Sequence, residues 1–488
     1  MQLKIFNTLT KKIEPVYSHD DGKIGIYSCG ITAYDYAHLG NLRKYVMDDV
    51  LVRTLRYDGY KVKFVQNVTD VGHMTSDADE GEDKLEKGSK KYNKSVFEIA
   101  RKFEQYFYDV SAEVGNLRPD VITRASEYIE QQLKIAIELE KKGYAYLIPE
   151  EGLYFDTSKM VNYGQLADLK VETLKEGARV EIVKGKRNPA DFALWKLEKK
   201  GENRQMSWSC PWGKRSFPGW HLECVAMSIE QLGEQFEIHT GGIDHIPVHH
   251  TNEIAQAEAY TGKSPFVRTW VHHNFMRVDG KKMSKSLGNV YKLEDVKEKG
   301  FSPMALRYLF LTAHYRKELN FTWESLAAAQ TAYDRLLNSL VHFSQEKEDS
   351  MVLEDNIERA RKFSEEFLQA VNDDLNFPQA LAILQQMLKS TLGKGERYNL
   401  AIEWDNLLGL DLRRQTEKLK QKAALIEKLE VDGEAKLLMA EREIAKADKD
   451  YARADFLRER IMTLGYELED TKDGTRLKKI HEKNQSSS

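Results

Sequence analysis

Ile24 and Ile26 alternate with small and polar neighbours as in a short half-buried strand, and Cys29-Gly30 then reads as a turn. From Leu42 the apolar positions Val46, Met47, Val50, Leu51 and Leu55 recur at spacings of three and four, so a helix is expected until Asp58-Gly59 ends it. A second strand is expected at 62–65. Strand, glycine-containing turn, helix and strand make a βαβ unit, whose parallel pairing sets the first turn at the carboxyl edge of the sheet. That turn, 29–41, ends in His38-Leu39-Gly40-Asn41. His38 and Asn41 are expected at the mouth of the helix, where unpaired N–H groups and the positive dipole end favour a phosphate. Cys29, one residue off the strand, aims a soft ligand at the same place. Asn67-Val68-Thr69-Asp70 puts further polar groups at the end of the second strand, facing the same crevice.

Polar residues fill 72–95, with Asp77, Asp79, Glu80, Glu82 and Asp83 crowded together. Their spacing does not fit an EF-hand, and a solvated loop is expected. A helix follows at 96–110. Residues 116–215 read as an insertion: a long helix at 127–142, hairpin-like strands with Tyr144, Tyr146, Tyr154 and Phe155, then mixed structure rich in Gly, Lys and Trp. Pro218-Gly219 announces another helix, carried by Val225, Met227, Ile229 and Leu232 to Gly233. A strand at 236–238 leads into His239-Thr240-Gly241-Gly242-Ile243-Asp244, whose paired glycines suit close approach of backbone to a ligand. His249-His250-Thr251-Asn252-Glu253 enters an alanine-rich helix, and 270–278 is the next strand. Beyond 300 the pattern is helical, with a charged linker, a helical pair over 434–464 and a basic end containing Arg476, Lys478, Lys479 and Lys483. The expected architecture is α/β: a Rossmann-like, doubly wound parallel-sheet catalytic domain in two halves, 1–115 and 216–300. A connective insertion occupies 116–215, a helical bundle 301–410, and a linker with a small terminal domain 411–488.

With 488 residues there is room for about three domains. Hydrophobic residues at 41% and charged residues at 31% are those of a soluble globular protein, no apolar run approaches a membrane span, and the start Met1-Gln2-Leu3-Lys4-Ile5 lacks a signal core, so a cytoplasmic location is expected. The three cysteines, Cys29, Cys210 and Cys224, are too few for a disulfide framework and point to metal binding or burial. A net charge of −4 argues against indiscriminate nucleic-acid binding but allows a local basic surface.

Two groups of residues carry chemistry. His249 and Glu253, four apart on a helix, share a face; with Cys29 and Cys224 they make a set suited to tetrahedral zinc. His221 and Cys210 compete for places in that set, and spacing does not choose among them; a buried small hydrophobe or a helix cap is the ordinary alternative for each member. The second group is Lys282-Met283-Ser284-Lys285-Ser286-Leu287-Gly288. It is either a charged surface loop or, following a strand and beside glycines, a clamp for polyphosphate.

His38-Leu39-Gly40-Asn41 resembles the first signature of class I aminoacyl-tRNA synthetases, and Lys282-Met283-Ser284-Lys285-Ser286 matches the second. Gly219-Trp220-His221-Leu222-Glu223-Cys224, the His249 to Glu253 run, Asp374-Leu375-Asn376-Phe377-Pro378 and Tyr451-Ala452-Arg453-Ala454-Asp455 resemble cysteinyl-tRNA synthetases in particular. The resemblance implies one zinc ion per chain on Cys29, Cys224, His249 and Glu253, setting His221 and Cys210 aside. It implies ATP at Ile31, Thr32, His38, Gly40, Asn41, Lys282, Ser284 and Lys285, with Mg²⁺, and substrate cysteine at Cys29, Thr69, Trp220, His239 and Asp244. His38, Asn41, Lys282 and Lys285 become the catalytic residues. Implied partners are ATP, L-cysteine and tRNA(Cys), the last bound in part through an anticodon-binding domain in 411–488, and a monomer is expected. The chain departs from the family at Ile31, Gly72-His73, Thr240 and Thr251, none of them an implied metal ligand or signature lysine. Two other readings use the same residues: a ligase joining cysteine to a sugar amine, which has little need of the helical end, and a zinc hydrolase, which leaves both ATP signatures unused.

Overall fold

The computed structural model describes residues 2–20, 22–71, 84–168, 183–284, 287–344, 354–427, 433–471 and 474–479. The acidic stretch 77–83, Lys285 and Ser286 of the second signature, and Lys483 lie outside the described residues. The chain divides into two compact units, one of Met1–Tyr333, Leu353–Leu392 and Trp404–Leu410, the other of Asp334–Val352, Gly393–Glu403 and Asp411–Ser488.

The first unit is built on five strands, β1 (Lys23–Thr32), β2 (Lys61–Thr69), β3 (Val121–Arg124), β4 (Phe236–Gly242) and β5 (Val267–His273). They lie in the order β5-β4-β1-β2-β3 with every neighbour parallel. The sheet therefore winds outward both ways from β1, as expected, and a ligand crevice opens where the order reverses, between β1 and β4.

The turn expected at Cys29-Gly30 is not there. β1 runs on to Thr32, and its register against β2 shifts between Ser28 and Ile31, which places Cys29 inside the strand. Gly30 has a different purpose: a Cβ there would stand 1.5 Å from the Asn67 carbonyl oxygen, so only glycine lets the two strands meet.

Helix α1 (Leu39–Tyr57) buries Leu42, Val46, Val50, Leu51 and Leu55 along one stripe. It starts earlier than the apolar pattern because His38 is its N-cap: the ring accepts from the Asn41 N–H while the Asn41 side chain accepts from the His38 N–H. Helix α2 (Trp220–Leu232) follows Gly219, and α3 (Thr251–Thr261) continues a π-helical turn, Ile246–His250.

The stretch expected as an insertion begins within the central sheet, as β3, before its helix Ile129–Lys141. Its remaining strands make a separate five-stranded antiparallel sheet, in which Ala145–Ile148 and Gly152–Phe155 form the expected hairpin. The single strand expected at 270–278 is two. β5 ends at His273, and Met276–Val278 belongs to a small sheet with Lys281–Lys282 and Leu319–Phe321. The chain leaves the central sheet at Asn274, whose N–H turns to the Tyr315 carbonyl at 2.9 Å.

In the second unit, helices Gly433–Ala447 and Tyr451–Thr463 enclose Ala435, Met439, Ile461 and Tyr466 together with a hairpin, Tyr466–Thr471 and Gly474–Lys479, where the sequence showed only a basic end. No helix among the described residues is long and apolar enough to cross a membrane.

Candidate active site and metal centre

At the switch point, β1 supplies Cys29, the π-helical turn supplies His249 and His250, and α3 supplies Glu253, and their ligand atoms all lie within 4.8 Å of one another. All four are buried, His250 and Glu253 completely. The group holds three of the four expected ligands and adds His250, which the sequence reading passed over. Cys224, 2% exposed on α2, flanks it: its thiol interacts with the Cys29 thiol and with His249. His221 lies behind the cluster, its Nδ1 2.9 Å from His249 Nδ1. Cys210 is on the half-buried edge strand Trp208–Cys210 of the antiparallel sheet and is not part of the group.

Within the cluster, His249 Nε2 is 2.9 Å from Glu253 Oε1, and His239 Nε2 is 2.9 Å from Glu253 Oε2. Burial alone would raise the Glu253 carboxyl, but the His239 and His249 imidazoles hold it down at about 2. Burial works the other way on His249, and the Glu253 charge overcomes it, pushing the imidazole up to about 10. The Cys29 thiol is raised by burial, and that of Cys224 is raised by its bond to Cys29 and by burial. Fully buried Glu253 Oε1 faces His249 Nε2 at 2.9 Å without an aligned hydrogen bond. A buried carboxylate beside two thiols and imidazoles fits a soft divalent cation, which completes the carboxylate's coordination and lowers the thiol pKa values. These residues can therefore hold a metal ion, and the donor set is compatible with zinc.

A second buried network braces the same strand. Lys44 of α1 donates to the Cys29 carbonyl at 2.6 Å and to Ser28 Oγ at 2.7 Å, and pairs with Asp48 at 2.7 Å, which also holds His273 Nε2 at 2.7 Å. Burial would raise Asp48, but Lys44 and His273 keep its carboxyl far below the usual range. Nothing in the sequence marked this set, because its members are spread over β1, α1 and β5.

The two signatures meet. A Cβ on Gly40 would stand 2.4 Å from Met283 Cε, so the glycine of the first signature is where the second packs onto α1. The Leu39 N–H also donates to the Tyr291 carbonyl at 2.9 Å, just past that loop. Inside the loop, Asn289 accepts from the Ser284 N–H at 2.9 Å and donates to the Lys282 carbonyl at 3.2 Å. Lys282 is exposed at the end of the small sheet.

Of the other expected contacts, Ile31 and Thr32 end β1, and Thr69 ends β2, its carbonyl accepting from the Ala33 N–H at 3.0 Å. Half-buried Trp220 stacks on His249 with ring centroids 4.5 Å apart. His239 is fully buried and engaged by Glu253, and Asp244 is exposed just beyond β4.

The family described as the tRNA synthetases class I (C) catalytic domain matches residues 15–331. The chain is 42% identical to a cysteine–tRNA ligase of Treponema denticola, covering 98% of this chain and 100% of that one. The chain belongs to the cysteine–tRNA ligase family. It is 43% identical to cysteine–tRNA ligase 1 of Burkholderia lata, over 98% of this chain and 97% of the relative. Among solved structures, a methionyl-tRNA synthetase of Mycobacterium tuberculosis in complex with methionyl-adenylate superposes with a TM-score of 0.56, covering 84% of this chain and 94% of that one. At 13% identity that likeness shows the shared class I fold.

Proposed function

We propose that this protein activates L-cysteine with ATP to give cysteinyl-adenylate and pyrophosphate, then transfers the cysteinyl group to tRNA(Cys). The observation that carries the reading is the meeting of the two signatures at Gly40 and Met283, on the same edge of the sheet as the buried Cys-His-Glu cluster.

Cys29, Cys224, His249 and Glu253 are the proposed ligands of one zinc ion. Cys224 is preferred to His250 because its thiol reaches both Cys29 and His249, while His250 has Nε2 3.3 Å from Cys29 Sγ and Nδ1 2.7 Å from His272 Nε2. Those are the contacts of a residue that supports a thiolate ligand from behind. When bound, zinc would favour a thiolate ligand over a hydroxyl, so cysteine is taken and serine refused without an editing site.

Thr69, Trp220, His239 and Asp244 are assigned to enclosing the amino acid, with its carboxylate in line with the α-phosphate. His38 Nδ1 accepts the Asn41 N–H, so the ring proton belongs on Nε2, the nitrogen assigned to the α-phosphate. Ile31, Thr32, Gly40, Asn41 and Ser284 line the ATP path in this reading. Lys282 and Lys285 hold the departing pyrophosphate, whose charge a Mg²⁺ ion shares. The acceptor is a ribose hydroxyl of the terminal adenosine, taken to be the 2′-OH. Residues 411–488 are assigned to the anticodon, 116–215 to a connective role and 301–410 to the helical bundle, and the protein is read as a cytoplasmic monomer.

Cysteine-dependent exchange of labelled pyrophosphate into ATP, followed by charging of tRNA(Cys), tests the whole. Exchange without charging points to the sugar-amine ligase, and absence of both to the hydrolase.

A further inference from the structure

Arg43 sits on α1 just past the His38–Asn41 cap and is 2% exposed. Every hydrogen bond of its side chain goes to a main-chain carbonyl. Nη1 donates to Asn274 O and Phe275 O, both at 2.8 Å, and Nη2 to Lys317 O at 2.7 Å and His314 O at 3.3 Å. Among the described residues no carboxylate pairs with it, and burial draws its pKa down to about 10, so it stays cationic at neutral pH. A buried cation held by carbonyl dipoles is an expensive way to stabilise a fold. What the planar fork supplies in return is geometry, since it fixes four carbonyls at once.

Those carbonyls come from two segments that share a task. Asn274-Phe275 links β5 to Met276–Val278, and His314 to Lys317 leads into Leu319–Phe321. The two strands pair in parallel, with Lys281–Lys282 completing their sheet. Asn274 Nδ2 to Arg316 O at 3.0 Å and Leu319 N to Phe275 O at 3.2 Å tie the segments to each other. Arg43 thus grips the root of the platform from which Lys282-Met283-Ser284 departs, while Gly40 of the same helix meets Met283 in the loop and Leu39 bonds Tyr291 just past it.

We propose that Arg43 is a positioning residue for adenylate formation, holding the lysine signature in register with the His38 end of α1. The proposal rests on the reading of the signature lysines as a phosphate clamp. Arg43 touches no reacting atom; it acts through the placement of Lys282, and a shift of about an ångström in a charged group at a phosphate is enough to cost up to roughly 10²-fold in rate.

Arg43→Lys keeps the charge but replaces the fork by a point donor that cannot span four carbonyls. Arg43→Met, which removes the charge as well, is the second variant. The measurements are pre-steady-state adenylate formation at saturating ATP, with metal content, cysteine affinity and thermal unfolding on the same preparations, and a double-mutant cycle with Lys282→Ala. Arg43→Lys is expected to fold, keep its metal and bind cysteine normally, yet to form adenylate roughly 10- to 100-fold more slowly. The cycle is expected to be non-additive, because a displaced Lys282 has little left to lose. A near-normal rate, an additive cycle, loss of metal in parallel with rate, or failure of both variants to fold overturns the proposal. A slow Lys282→Ala with a normal Arg43→Lys overturns this inference alone, whereas a normal Lys282→Ala overturns the clamp and this inference with it.

Discussion

Four ligand places and five candidate donors meet at the switch point, so the decisive measurements there are single substitutions. The purified protein is expected to hold one tightly bound zinc. Cys224→Ser exchanges a soft thiolate for a hydroxyl and is expected to lose metal on dialysis, while His250→Gln keeps it, since His250 is placed behind Cys29. Metal analysis with the opposite pattern would make His250 the ligand. In the proposed clamp, Lys285→Ala removes a positive charge assigned to oxygens that gain charge as pyrophosphate leaves, so the transition state is expected to suffer more than bound ATP. Adenylate formation is expected to slow by roughly 10² to 10³, about 3 to 4 kcal/mol, with metal content and cysteine binding intact; a normal rate constant with weaker ATP binding would make the lysine an anchor only. The signatures were legible in the sequence because their residues are contiguous. Cys29, Cys224, His249 and Glu253 could be grouped by chemical type, but His250 could not be distinguished from a bystander, since its approach to Cys29 is set by how β1 and α3 pack. The sequence does not single out Arg43, Lys44 and Asp48, because the groups they also hold, the Asn274 and Cys29 carbonyls and His273, lie on other elements.

Helix α1 was legible from apolar residues at spacings of three and four, and the 145–155 hairpin from its aromatic residues, of which Tyr146, Tyr154 and Phe155 are buried. β3 escaped notice because it is four residues long with only Thr123 fully buried, too short to show a period. Gly30 was misread for a related reason: a glycine signals backbone freedom without saying whether a turn or a close neighbour needs it. Gly30→Ala would drive a methyl group into the Asn67 carbonyl and is expected to destabilise the first unit by about 3 kcal/mol, read as a lower urea midpoint at unchanged slope. The α1 cap separates structure from chemistry. His38→Asn keeps a good N-cap acceptor but removes the imidazole, so unfolding should shift by less than about 0.5 kcal/mol while adenylate formation falls roughly 10²-fold. A stability loss of about 1 kcal/mol or more with little change in rate would make His38 a cap and nothing else.

Across the whole molecule, the sheet, the Cys-His-Glu cluster and both signatures belong to the first unit, and 411–488 to the second. Linear composition could not show that 334–352 and 393–403 group with the distant end, because grouping is set by contacts and not by order along the chain. The same contacts say where a truncation can be made. Arg307, fully buried, donates to the Leu408 carbonyl at 2.7 Å, and the Tyr333 hydroxyl donates to the Leu410 carbonyl at 2.8 Å, all within the first unit. A chain ending at Leu410 keeps both bonds; one ending at Glu403 loses the Leu408 acceptor of Arg307 and the fully buried Trp404, Leu407 and Leu408 side chains, and is expected to be strongly destabilised. The 1–410 chain should retain cysteine-dependent pyrophosphate exchange near the full-length rate, since every group assigned to adenylate formation is present. Its charging of tRNA(Cys) should fall by more than about 10-fold, corresponding to loss of at least about 1.4 kcal/mol of tRNA recognition assigned to 411–488. Equal loss of exchange and charging in a 1–410 chain with a normal unfolding transition would show that the terminal residues serve the first step as well, and would remove the basis for assigning them to the anticodon.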